Sequence, residues 1–127
     1  MSPRHAARPA WCEIDLDAIA HNTRLLAERA AGAALCAVVK ADAYGHGVVP
    51  VATTAVASGA RWLAVATLDE AATLVEAGVG GDVPVLVLSE PEPSAVAELV
   101  AELGEDADTL VGRVRPTVTS PEAVAVL

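Results

Sequence analysis

Lys40 is the only lysine in 127 residues, and the only tyrosine, Tyr44, follows four positions later. Lys40 ends the apolar run Ala37-Val38-Val39, and the chain continues Ala41-Asp42-Ala43-Tyr44-Gly45-His46-Gly47. An amine at the mouth of a buried strand, followed by a glycine-spaced turn, can hold a carbonyl group as an imine. Partial desolvation there disfavours an ammonium, and the neutral amine is the form that attacks an aldehyde. The Tyr44 hydroxyl could reach a bound phosphate. Backbone N–H groups of Gly45, His46 and Gly47, at a helix N-terminus, would favour an anion nearby.

The other candidates are weaker. His46 sits between two glycines and reads as a turn-positioning residue rather than a base, while His5 and His21 read as surface residues. Asp15 with Asp17, and Asp69 with Glu70, have strand or cap explanations, so paired-carboxylate catalysis is not expected. Neither a GxGxxG nor a P-loop pattern occurs.

The elements that must position Lys40 follow from periodicity. Trp11 to Leu16 alternates as a half-buried strand does. Asp17 then caps a helix facing inward through Leu16, Ile19, Thr23, Leu26 and Ala30, ending at Gly32. Leu35 to Val39 is a continuous apolar run, so both faces of that strand should be covered. Val48 to Ser58 reads as a helix with Pro50 in its first turn. Trp62 to Ala66 is a second strand, and Thr67-Leu68-Asp69-Glu70 fits a capping box for the helix ending at Gly78. Val83 to Leu88 is a third strand, Ser94 caps a helix that ends at Gly104, and Gly104 to Asp108 reads as a loop. Arg115 to Thr119 is a fourth strand, followed by a Ser120 cap with Pro121 at the first helical position.

Strands alternating with helices at this spacing indicate parallel βαβ units. A (β/α)8 barrel takes about 250 residues for eight units, and this chain supplies about four. The fold class expected is therefore α/β, the truncated N-terminal half of a (β/α)8 TIM-type barrel. A small, complete α/β domain is the competing architecture. The net charge of −9 opposes general nucleic-acid binding, because no basic stripe exists to replace phosphate counterions. No apolar run is long enough for a membrane span or a signal peptide. Cys12 and Cys36 fall in expected strands and read as buried thiols of a reducing, cytoplasmic compartment.

The segment Ala37 to Gly47 closely resembles the cofactor-binding signature of alanine racemases. Trp11 to Leu16 with His21-Asn22, Leu63 to Ala66 with Asp69-Glu70-Ala71, Val83 to Ser89, and Arg115 to Val118 are similar to further blocks of that family. The resemblance implies that residues 1–127 are part of a barrel domain binding pyridoxal 5′-phosphate. It implies that Lys40 carries the cofactor as an internal aldimine and is one of two catalytic bases. Tyr44 is then the phosphate-binding residue, and Leu88 packs near the cofactor. Asp42 stands where many relatives have asparagine. The implied activity is interconversion of L-alanine and D-alanine for peptidoglycan precursors, in a homodimer. The partner's C-terminal β domain would supply a tyrosine for the opposite face. That tyrosine, the pyridine-contacting arginine and most phosphate ligands are expected beyond Leu127, so the isolated chain should not turn over. A cofactor carrier of the same barrel type without racemase activity is the alternative from another functional class.

Overall fold

The computed structural model describes residues 10–126; His5 and Leu127 lie outside that range. Four parallel strands, β1 (Cys36–Val38), β2 (Trp62–Val65), β3 (Val85–Val87) and β4 (Val114–Pro116), stand side by side in chain order. Their register places Ala37 beside Leu63, Leu63 beside Val85, and Val85 beside Val114. Each strand is followed by helix, as the alternation of apolar runs and capped amphipathic segments requires. The sequence therefore folds as four βα units of the parallel barrel type.

Side chains alternate across a strand, so the sheet has two distinct faces. Leu63, Val65, Val85 and Val87 are 0% exposed. They are covered by α3 (Val48–Ala57) and α4 (Leu68–Glu76), which bury Ala52, Ala71 and Leu74 in the same cluster. Across the other face lie Val38, which is exposed, and the half-buried Cys36, Trp62 and Leu86. The expectation that both faces of the first strand are covered is thus corrected. Among the described residues the helical side is closely packed, whereas on the other side Ala64 is the only strand residue that is buried.

Helix α1 (Leu16–Arg29) is capped by Asp15, whose side chain accepts the Ala18 N–H at 3.0 Å, rather than by Asp17. Thr23 is its one buried residue, and Leu16 and Leu26 are exposed, so its inward face is narrower than the periodicity suggested. Residues 10–15 pair with no strand and are exposed throughout. Alternation alone cannot form a strand without an edge to bond to. Cys12 is accordingly exposed rather than buried, and Cys36 is half-buried.

Helix α5 (Pro93–Leu103) starts from Glu92, because the fixed φ of Pro93 opens the first turn and leaves Ser94 inside it. The expected loop after Gly104 is instead a 3-10 turn (Gly104–Asp106) leading into helix α6 (Ala107–Arg113). Leu110 anchors α6 in the core. Arg113, 5% exposed, donates from Nη2 to the Val79 carbonyl at 2.7 Å and from Nε to the Val83 carbonyl at 3.0 Å. Burial lowers the pKa of its guanidinium, and the charge of Asp82 opposes that shift. This arginine pins the loop entering β3. Ser120 caps α7 (Pro121–Val126) through the Ala123 N–H at 3.2 Å, as the sequence predicts.

The segment α2 (Lys40–Gly45) was not foreseen. Ala41, Asp42, Ala43 and Tyr44 have φ of 52, 55, 52 and 57° with ψ between 35 and 51°, which makes one turn of left-handed helix. Such a conformation costs L-residues roughly 1–2 kcal/mol each, and only Asp42 is a type that tolerates it well. Gly47 follows at φ 91°, where a Cβ would press on Pro50. Several bonds offset the strain: the Ala43 N–H to the Val39 carbonyl at 2.9 Å, the Gly47 N–H to the Asp42 carbonyl at 2.9 Å, and the Val48 N–H to Asp42 Oδ1 at 2.7 Å. An asparagine would supply the same oxygen and tolerate the same φ. Asp42→Asn should therefore leave stability unchanged to within about 0.5 kcal/mol, whereas Asp42→Ala should cost about 1 kcal/mol or more. Denaturant unfolding of the two variants checks this, and equal losses would refute the capping role.

Candidate active site at the carboxyl ends of the strands

Because the strands are parallel, their carboxyl ends form one edge, and in such folds that edge carries the chemistry. Lys40 follows β1 there and is half-buried. Tyr44 lies on the same left-handed turn and is 59% exposed. Leu88 follows β3, where its N–H continues the ladder to the Val65 carbonyl at 2.9 Å, and its side chain is 43% exposed. The fold thus brings all three sequence candidates to one rim, Lys40 and Tyr44 on one loop and Leu88 two strands away.

The anion cradle expected from Gly45, His46 and Gly47 needs correction. The His46 N–H donates to the Ala43 carbonyl at 3.1 Å, and the Gly47 N–H donates to Asp42. The amino end of α3 is met by the carboxylate of Asp42. The N–H groups of His46 and Gly47 are therefore already occupied. His46 turns its Nδ1 onto the Ala43 carbonyl at 2.8 Å, which agrees with a turn-positioning role.

Two carboxylates that local reasoning missed, or only half saw, tie the rim together. Glu70 completes the predicted capping box of α4 with Thr67. Its Oε2 also accepts the Ala66 N–H at 2.6 Å, and its Oε1 crosses to the Ala41 N–H at 2.7 Å. Glu90, after β3, accepts from the backbone N–H and hydroxyl groups of both Thr119 and Ser120 after β4. Between them, the Ser89 hydroxyl donates to the Ala66 carbonyl. Each loop of the rim is therefore bonded to the next. Nothing near Glu90 in the sequence marks it, since its partners lie about thirty residues away.

The chemistry open to this edge is limited. Among the described residues no group of three His, Cys, Asp or Glu could hold a metal ion. Cys36 lies on the open face of β1, but burial pushes its thiol pKa up and so disfavours the nucleophilic thiolate. That leaves the amine of Lys40. An amine at Lys40, an exposed phenol hydroxyl at Tyr44 and exposed apolar side chains at Val38 and Leu88 are thus available along this edge, a set compatible with a ligand that carries an aldehyde and an anionic arm.

The Glu90 clamp makes the rim sensitive to acid. The Thr119 N–H foremost, then the Thr119 hydroxyl and the Ser120 donors, hold the Glu90 carboxyl below its ordinary value against an upward push from burial. A carboxyl lowered in the folded state stabilises fully above its unfolded pKa and loses that contribution as pH falls through the folded value. Unfolding midpoints followed from about pH 6 to pH 3 should therefore fall less steeply for Glu90→Gln than for the parent. Parallel curves would show that the clamp is not formed in solution.

Known proteins share this architecture. The family described as "Alanine racemase, N-terminal domain" matches residues 14–126. An alanine racemase from Desulfovibrio desulfuricans is 48% identical over 95 residues, covering 74% of this chain and 25% of the relative. The crystal structure of alanine racemase from E. faecalis superposes with a TM-score of 0.72 at 39% identity, over 88% of this chain and 27% of that one. A histidine racemase from Leuconostoc mesenteroides superposes at 0.68 with 28% identity, over 87% and 27%. The chain thus spans about a quarter of the length of the relatives it matches. It belongs to the alanine racemase family, whose N-terminal-domain model it matches over residues 14–126.

Proposed function

We propose that this chain is the Lys40-bearing part of a pyridoxal 5′-phosphate-dependent racemase that interconverts L-alanine and D-alanine. The observation that carries the reading is one lysine, alone in the sequence, at the carboxyl end of β1 in a domain of this family. Lys40 Nζ holds the cofactor through its aldehyde. Tyr44 donates its hydroxyl to the phosphate, and Leu88 packs beside the ring.

Bound pyridoxal phosphate supplies an electron sink that acidifies the carbon next to the substrate's amine. Lys40 Nζ, as a free amine, would remove or return the Cα proton on one face. Racemisation needs a second base on the opposite face. By resemblance to the family that base is a tyrosine supplied by the partner subunit, while Tyr44, the only tyrosine in these 127 residues, is assigned to the phosphate. A homodimer, with the partner's tyrosine reaching in, meets that need. No helix among the described residues is long and apolar enough to cross a membrane. By family resemblance we place the enzyme in the cytoplasm.

Alanine is favoured over larger substrates because the matched relatives named above are mostly alanine racemases, although a histidine racemase shares the architecture. In the full-length protein, pyridoxal phosphate followed by borohydride should label the Lys40 peptide. Lys40→Ala should abolish the label and lower racemisation on the order of 10³-fold or more. Tyr44→Phe should keep the label and weaken cofactor retention about tenfold, the worth of one charge-assisted hydrogen bond. Labelling that persists in Lys40→Ala would overturn the assignment.

A further inference from the structure

Glu70 does more than cap α4. A capping box needs its carboxylate only at the Thr67 N–H, which Oε2 accepts at 3.3 Å. The shorter bonds go elsewhere, to the Ala66 N–H from Oε2 at 2.6 Å and to the Ala41 N–H from Oε1 at 2.7 Å. Ala41 N belongs to the same planar peptide as the Lys40 carbonyl. Holding that N–H fixes the plane leaving Lys40, just where the backbone passes into the left-handed turn. We propose that Glu70 is the positioning residue for Lys40. Its carboxylate locks the Lys40–Ala41 peptide against the β2 loop and so sets the direction from which Nζ approaches the reacting carbon.

Three features support this. The contact spans 29 residues and joins the loops after β1 and β2, so helix capping does not require it. Four strained residues follow Lys40, and a strained turn persists only where its surroundings over-determine it. The requirement is also specific to a carboxylate. Both oxygens face N–H donors, and glutamine has only one oxygen, so its amide NH2 would confront a donor on one side or the other. A near-isosteric Glu70→Gln change therefore breaks one half of the clamp whichever way the amide is turned.

The inference deepens the proposed function and rests on Lys40 being the cofactor lysine. The experiment uses the full-length protein with Glu70→Gln, Glu70→Asp and Thr67→Val. Thr67→Val removes the reciprocal cap bond and leaves Ala41 alone. It should lower the unfolding midpoint while keeping kcat within about twofold of the parent, since no Lys40 contact changes. Glu70→Asp keeps a two-oxygen acceptor but is one methylene shorter, so the Thr67 hydroxyl still caps the residue-70 N–H while the reach to Ala41 is lost. Glu70→Asp should lose hydrogen-exchange protection at the Ala41 amide, and Glu70→Gln at the Ala41 or the Ala66 amide according to which way its side-chain amide is turned. Both should lower kcat about 10- to 100-fold with KM within about threefold, the scale expected when a reacting group is misplaced by an ångström. Both should slow the borohydride-trapped labelling of Lys40 when pyridoxal phosphate is added to the cofactor-free protein.

Parent-like kcat, labelling rate and Ala41 protection in both Glu70 variants would overturn the proposal. So would a kcat loss in Thr67→Val equal to that in Glu70→Gln, because the effect would then belong to the cap. If the parent itself fails to label at Lys40, the reading of Lys40 falls and takes this inference with it. That result is distinct from normal labelling in both parent and variants.

Discussion

The bond from the Ala41 N–H to Glu70 meets a constraint that every parallel sheet imposes on its functional edge. Strands that all end on one side leave their loops next to one another, yet the ladder that joins the strands stops where the loops begin. Something else must hold the loops in register. Here side-chain carboxylates and a serine hydroxyl continue the bonding beyond the ladder, from the β1 loop to β2, β2 to β3 and β3 to β4. Carboxylates suit this task because each oxygen accepts from more than one direction, and the helix amino ends at this edge leave N–H groups unpaired.

The left-handed turn shows why the edge needs such bonding. A right-handed continuation after β1 would be cheaper by several kcal/mol over four residues, on the scale of 1–2 kcal/mol each. The turn survives because Ala43 is buried, Asp42 caps the next helix, and Glu70 holds the first N–H. Strain of this kind collects at functional sites. Its position immediately after Lys40 fits that pattern, while the ordinary helices and strands sit below it.

Most of the frame could be read from local pattern. The strands after Leu35, Trp62 and Val83, the Thr67–Glu70 box and the Ser120 cap were legible because each depends on residues within four or five positions. The failures have a common cause. Trp11 to Leu16 has strand periodicity but no neighbouring edge, and Gly104 to Asp108 has loop composition but is drawn into helix by the docking of Leu110. The left-handed turn carries two alanines that favour the opposite hand. Lys40 and Tyr44 stood out by type and uniqueness. Glu70 was visible only as a cap, and Glu90 not at all, because their decisive partners come from the next strand's loop.

The order β1-β2-β3-β4, with every strand beside its neighbour in the chain, also bears on how the molecule is made. Among the four described strands, none must wait for a distant segment before it can pair. A chain emerging from the ribosome, amino end first and at about 5–20 residues per second, can add each βα unit to the one before it. The rim carboxylates then act as latches that close in the same direction: Glu70 engages a loop already synthesised, and Glu90 waits for the one that follows. The edge on which the proposed chemistry depends would thus be assembled vectorially, with the Lys40 turn set before the later strands arrive.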